Sequence, residues 1–463
     1  MRNVSLTVVI TLLIFIYGGC AINPITGKKE VMIFSDKQEV ALGKNSDPDI
    51  RWQFGGTYDD PEIQRYVEKI GQSVAAVSHR SDIPYHFTVV DDSVVNAFAL
   101  PGGYIYISRG LLAHLDNEAQ LSAILGHETG HVAARHGMKR LQSILGFNVL
   151  LGIVDQVASG SEDYRRWRGL IKTTSQVAFT MVIQGYSRGD ELESDELGAL
   201  YASKAGYDPD GMMQTLEILG SLHNGEPSAI EELFRSHPKD SKRIENVKDY
   251  IKEMPPERQN GILNKSEFAL AVKDLKLAQE AYNHYDKAEF HRREGRYQEA
   301  LDEYNKALQM RNLAKPHHGI GLVYEAQGNY DSAIREYETV LQIDPNYIFS
   351  LNAIGRSYIK LKRYNDALPK LKKAVEIYEN FDDAYANMGE AYYNLNKYSE
   401  SVEPLEMALA LNENHPRAHT TLGLTYEALG EKEKAIAEYE KAVAVAPQND
   451  YTNIAKDRLE KLK

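Results

Sequence analysis

The chain of 463 residues has a single cysteine, Cys20, so no disulfide forms within it and cores must hold the fold together. A basic excess is also missing: Lys and Arg total 53 against 66 Asp and Glu, a net charge of −13. That excludes the broad phosphate-binding surface a nucleic-acid partner needs, and otherwise speaks only to solubility. Long apolar runs are absent too. The longest, Val4 to Tyr17, is shorter than the ~20 residues that span a bilayer as a helix. With 43% hydrophobic and 26% charged residues the composition is that of a folded protein, and the length allows two or three domains.

The amino-terminal apolar run follows a short basic start, Met1-Arg2, and ends in Tyr17-Gly18-Gly19-Cys20. This predicts a signal peptide over residues 1–19. Small residues before a cysteine resemble a bacterial lipobox, with Cys20 as the lipidated residue, although Tyr17 stands where Leu is usual. The plainer alternative is a secretory signal with an incidental cysteine. A lipid on Cys20 anchors the chain to a membrane at ~0.8 kcal/mol per buried methylene.

Beyond a polar tether at Asn23–Lys28, helices are expected over Ser35–Lys44 and Pro61–Val77, the latter with proline in its first turn. Tyr85–Val90 and Tyr104–Ile107 read as strands, with Pro101-Gly102-Gly103 as a turn before the second. Asn96–Leu100 reads either as an exposed edge that an extended peptide joins, or as an ordinary internal strand. A long helix is expected from about Asn117 to Arg140, a Gly-broken helical region to Gln184, and a helix from Asp190 to Ala205. Ile144–Val157, apolar but broken by Gly152 and Asp155, suits a packed helix or a lid better than a membrane span.

Residues 251–263, with Pro255-Pro256, mark a boundary, and beyond it the chain repeats itself. Gly321-Leu322-Val323-Tyr324, Gly355-Arg356-Ser357-Tyr358, Gly389-Glu390-Ala391-Tyr392 and Gly423-Leu424-Thr425-Tyr426 follow one another at 34-residue intervals. Small residues recur in phase at Ala333, Ala367, Ser401 and Ala435, with Tyr337, Leu371, Leu405 and Tyr439 four further on. This is the tetratricopeptide period, which predicts four regular helical hairpins over 264–463, plus an irregular one around Tyr297–Ala307. Such an array does no chemistry; its usual work is to present a groove to a protein or peptide partner.

The chemistry sits at His127-Glu128-Thr129-Gly130-His131. Leu121, Ile124 and Leu125 mark a buried stripe whose continuation falls on His127, Glu128 and His131. Three polar groups on a core-facing stripe are costly unless something satisfies them, and zinc does. Residues i and i+4 place two imidazoles on one face, with Glu128 beside them as a base toward water. A catalytic zinc takes three protein ligands and keeps an open position. His136 lies five residues past His131, turned away on a continuous helix, and reads as a polar-face or outer residue. Glu191-Leu192-Glu193-Ser194-Asp195 offers a third ligand: Glu191 with Asp195 at i+4 shares one face, so Asp195 can hold a ligand histidine by its other nitrogen. Glu193 faces roughly the opposite way.

These motifs, with Pro101-Gly102-Gly103 before them and Tyr186-Ser187-Arg188 and Arg235-Ser236-His237-Pro238 around and after the acidic pair, resemble peptidase family M48 in their order. The lipobox, Ala205–Pro209 and the repeats make the chain most similar to its periplasmic lipoprotein members. The resemblance implies an α+β zincin-type metallopeptidase domain over 20–255, mostly helical with a small sheet, ahead of the all-α repeat solenoid. It implies one Zn2+ held by His127, His131 and Glu191, Glu128 as general base, and Asp195 supporting the ligands. His237 either fills the open position as a plug or donates to the oxyanion; the plainer reading is a loop histidine with a local hydrogen bond. Tyr186 and Arg188 either stabilise the oxyanion or support the helix start. The implied function is cleavage of misfolded or stalled envelope proteins recruited by the repeats, in the periplasm and attached through Cys20. Ala21 leans toward the outer membrane. The alternative is a chaperone-like assembly scaffold with an inert or plugged protease site.

Overall fold

The computed structural model describes residues 20–32, 34–143, 185–225, 233, 235–238, 242–446 and 448–462. The expected signal peptide and Ile144–Val157 lie outside these residues. The described chain divides into two compact units, one ending at Leu277 and the other beginning at Ala278. Among the described residues no helix is long and apolar enough to cross a membrane.

The first unit opens with a small hairpin, β1 (Cys20–Ile22) against β2 (Lys29–Val31). Helix α1 (Asp36–Gln53) starts on a capping box in which the Ser35 side chain accepts from the Gln38 backbone. Asp60 caps α2 (Pro61–Ala75) in the same manner, ahead of the proline. Then come β3 (His86–Val90), β4 (Ala97–Leu100) and β5 (Tyr104–Ser108), in the sheet order β3-β5-β4. Central β5 runs parallel to β3 and antiparallel to β4, pairing Ile105 with Phe87 and with Ala99. Covered on both faces, β5 is buried at every position. Phe98, Leu100, Tyr104 and Tyr106 join Ile50 and Phe54 of the α1 region in one core cluster. The turn before β5 needs glycine: Gly102 and Gly103 have φ of 79° and 93°, and a Cβ on Gly103 would meet Pro84 O at 2.2 Å.

Short α3 (Arg109–His114) leads to α4 (Glu118–Ala133), the helix of the histidine motif. Every residue of α4 is buried, because α2, β4, α5 (Arg188–Lys204) and α6 (Gly211–Gly225) pack around it. The amphipathic stripe expected here is thus an all-round apolar frame. The helix also ends earlier than the expected Arg140. Arg135 adopts a left-handed φ of 58°, and a separate helical segment starts at 136. The break is held from outside: Arg135 pairs with Asp36 and, at 3.3 Å, with Glu39 of α1. Amphipathic α7 (Lys242–Glu253) follows, then α8 (Lys265–Ala271).

The second unit is the repeat array. Its regular hairpins pair α9 (Ala314–Ala326) with α10 (Tyr330–Ile343), α11 (Ile348–Lys360) with α12 (Tyr364–Ile377), α13 (Asp382–Asn394) with α14 (Tyr398–Leu411), and α15 (Pro416–Ala428) with α16 (Lys432–Val445). The period has a packing cause. A Cβ on Gly321 would lie 2.4 Å from the Tyr337 ring, and one on Gly355, 2.5 Å from Leu371. The glycine of each first helix is therefore the seat of the large residue of the second, and both must recur together.

One imidazole of the array carries a pH prediction. His318 is half-buried between Tyr337 and Tyr347, with Nδ1 2.8 Å from Ser350 Oγ. Burial, against the field of Glu289, pushes it down to about 3. The unfolded chain takes up this proton near pH ~6.5 and the folded chain does not, so stability falls as pH drops from there toward 3. In His318→Phe the loss between pH 6.5 and 4.5 is expected to shrink by about 1 kcal/mol, allowing for solvent screening of a partly exposed ring. Thermal unfolding of both chains across that range checks it; parallel curves would remove His318 as the cause.

Candidate metal centre

Two helices meet at glycines to build the site. A Cβ on Gly126 of α4 would lie 2.9 Å from Gly198 O, and one on Gly198 of α5 would lie 3.0 Å from His127 N. This close crossing brings the first turn of α5, started by a Ser187 capping box, beside the middle of α4. A third segment enters through Gly185. Its φ of 73° suits glycine, and a Cβ there would meet Arg235 O at 2.2 Å. Tyr186 N then donates to Ser236 O at 2.9 Å, so the strand-like entry to α5 and the loop carrying His237 are tied together.

His127, His131, Glu191 and His237 are all buried and each points one donor atom at a common point. His127 Nε2 lies 3.0 Å from His131 Nε2, 3.7 Å from Glu191 Oε2 and 3.4 Å from His237 Nδ1. Glu191 Oε1 lies 3.4 Å from His131 Nε2 and 3.0 Å from His237 Nδ1. A tetrahedral zinc with bonds of ~2.0–2.1 Å sets its ligand atoms ~3.3–3.4 Å apart, so the donor set fits that ion in kind and in spacing. The chemistry fits as well: three imidazoles and a carboxylate crowded nitrogen to oxygen in a buried pocket are what a divalent cation satisfies.

The surrounding charges fix the ligands. His127 Nδ1 lies 2.9 Å from Asp195 Oδ1. Asp195 accepts two hydrogen bonds of 2.7 Å from Arg243, whose Nη1 also lies 2.9 Å from Glu191 Oε2. Burial would raise the Glu191 carboxyl, but His237, the His131 hydrogen bond and Arg243 hold it well below the usual carboxylate range. Burial likewise pulls His131 well below its ordinary value, which keeps it neutral. His237, buried yet faced by Glu191 and Glu128, is carried up to about 9.

Glu128 is not among the converging donors. Its Oε1 lies 3.6 Å from His237 Nε2, and among the described residues its buried Oε2 meets no hydrogen-bond partner. Burial raises its carboxyl above the ordinary glutamate value, against the pull of His237 and His127. Together with His127, His237 and Arg243 it faces a cavity of about 130 Å³ whose remaining walls are mostly apolar, among them Ala97, Leu111, Ile124 and Met212.

Of the other residues singled out in the sequence, Tyr186 stacks on His131 with ring centroids 3.7 Å apart, and Arg188 is exposed at the first turn of α5. Cys20 opens β1, away in sequence from every residue of this group. Arg243 was not foreseen. Its signal was available: with Val247 and Ile251 it lies at i, i+4 and i+8 on the buried face of α7, where an arginine needs carboxylate partners.

Known proteins resemble each of the two units. Residues 61–251 match the model described as Peptidase family M48, and residues 277–346, 312–380, 389–430 and 416–449 match tetratricopeptide-repeat models. The mitochondrial metalloendopeptidase OMA1 of Arabidopsis thaliana is 32% identical over 209 residues, 45% of this chain and 40% of that protein. The beta-barrel assembly-enhancing protease of Yersinia pestis is 27% identical over 239 residues, 50% of this chain and 48% of that protein. The chain thus spans under half the length of either relative. Among solved structures, the TPR protein YrrB is 25% identical and covers 41% of this chain and 97% of its own, with a TM-score of 0.33. The chain carries a Peptidase family M48 domain followed by C-terminal tetratricopeptide repeats.

Proposed function

We propose that the chain is a zinc-dependent endopeptidase of the bacterial cell envelope, attached through a lipid on Cys20, that cleaves misfolded or stalled envelope proteins brought to it by its repeats. The observation that carries the enzymatic part is the pairing of four converging donors with a separate carboxylate, Glu128, on a cavity wall, whose Oε2 is buried without a hydrogen-bond partner among the described residues. In this reading His127, His131 and Glu191 hold the ion and Asp195 orients His127. Bound there, Zn2+ supplies Lewis acidity toward the scissile carbonyl and toward water. Glu128 takes the proton of the attacking water and passes it to the leaving amine, for which a carboxyl raised by burial is well matched. Strand β4 is an edge strand of its sheet among the described residues, and Ala97 of that strand lines the same cavity as Glu128. An extended substrate pairing with this edge gains main-chain hydrogen bonds with little demand on its sequence.

His237 is the gate in this proposal. Its Nδ1 stands among the ligand atoms where a substrate carbonyl or water would otherwise sit, so the resting enzyme holds itself closed. A permanently closed gate would leave a chaperone-like scaffold, in which the repeats do the work. The name of the Yersinia relative, an assembly-enhancing protease, is consistent with either role in the envelope.

Casein digestion by the chain lacking residues 1–20 tests the proposal. Chelation is expected to stop cleavage and added zinc to restore it, and His237→Ala is expected to cleave severalfold faster at equal zinc content. A zinc-loaded His237→Ala chain that cuts no faster than wild type would end the gate. If neither zinc-loaded chain cuts casein, the scaffold takes the place of the enzyme.

A further inference from the structure

A histidine that binds zinc through Nε2 needs its Nδ1–H accepted by a neighbour, which fixes the tautomer and the ring together. His127 has Asp195 for this purpose. Among the described residues His131 has no carboxylate on that side; its Nδ1 lies 2.9 Å from Nδ1 of a second imidazole, His136. An imidazole nitrogen can donate or accept, so this contact fixes nothing unless His136 is itself fixed.

Its surroundings do fix it. His136 Nε2 lies 2.9 Å from Glu193 Oε2 and 3.4 Å from Asp190 Oδ1, both acceptors. A carboxylate can only accept, so the proton facing it belongs to His136 Nε2. The carboxylates on Nε2 select the tautomer with its proton there. The Nδ1 lone pair of His136 then accepts from His131 Nδ1–H, and the Nε2 lone pair of His131 is left toward His127 and Glu191, at 3.0 and 3.4 Å. We infer that Glu193 sets the metal-binding tautomer of His131 through His136, so that both are positioning residues of the metal centre.

The helix break makes this contact. On a continuous helix a residue five on from His131 points about 140° away. The left-handed turn at Arg135 brings His136 back to the ring of His131, with centroids 5.1 Å apart. The two glutamates of α5 then have distinct work, Glu191 toward the ligand atoms and Glu193 toward the support of His131.

The inference rests on the metal-binding part of the proposed function, and zinc affinity tests it without any hydrolysis. The chain is titrated with zinc against a competing chelator. His136→Leu is expected to weaken binding by ~10–100-fold, and Glu193→Ala by about tenfold. Two conservative exchanges separate tautomer control from mere packing. Glu193→Gln keeps an oxygen that accepts from His136, and His136→Asn places an oxygen where Nδ1 was; both are expected to bind nearly as wild type. In the His136→Asn background, Glu193→Ala should cost nothing further. Wild-type affinity in Glu193→Ala, or an equal Glu193→Ala loss with and without His136→Asn, overturns the relay while leaving the metal site standing. A wild-type chain that takes up no zinc overturns both.

Discussion

Glu128→Gln is expected to abolish casein cleavage while leaving bound zinc at one per chain. The side chain sits between His127 and His131 in sequence, yet neither of its oxygens joins the cluster of converging donor atoms, so its loss should not loosen the metal. Its position instead suits proton transfer: among the described residues Oε2 is buried without a hydrogen-bond partner on the wall of a mostly apolar cavity, and burial raises its carboxyl above the ordinary glutamate value. Glutamine fills the same volume but takes no proton. General-base catalysis contributes roughly 10²–10⁴-fold, and loss of that order in the cleavage rate is the expected reading. Zinc content by metal analysis accompanies the rate. Cleavage near the wild-type rate would mean that another group accepts the proton, and a chain stripped of zinc would place Glu128 among the ligands.

What could be read from the sequence here followed the range of the interactions. His127 and His131 are one helical turn apart, so spacing alone puts them on one face, and the same holds for Glu191 and Asp195. Repeats are more legible still, since Gly321 and Tyr337 answer to each other within a single hairpin and the pair recurs. For His136, spacing leaves a polar-face and an outer position open, and the structure gives the outer one, 2.9 Å from His131, but by a route that spacing on an unbroken helix does not supply. The break at Arg135 is imposed by Asp36 and Glu39, about a hundred residues earlier, and no local pattern announces it. Arg243 is a case between these. Its place on a buried helical face was visible, but that its partners are Asp195 and Glu191 depends on how α7 packs beside α5.

Arg243→Ala should destabilise the peptidase unit far more without zinc than with it. The guanidinium is buried, spans Asp195 through two hydrogen bonds and reaches Glu191 through a third nitrogen, so two buried carboxylates share it, Glu191 also facing His237. Removing one partner of a buried ion pair costs about 3–5 kcal/mol, because the remaining charge is left in a poorly polarisable interior. A divalent ion held by Glu191 would take over part of that neutralisation, whereas Asp195 would keep only the imidazole of His127. The expected result is a large fall in the unfolding midpoint of the first transition in chelator, and a markedly smaller fall in zinc. Arg243→Lys keeps a charge but not the fork that grips both oxygens of Asp195, and should lie between. Equal losses with and without zinc would show that Arg243 acts on Asp195 and packing alone. No loss in either condition would mean that the carboxylates find other partners, and that the clamp is dispensable to the fold.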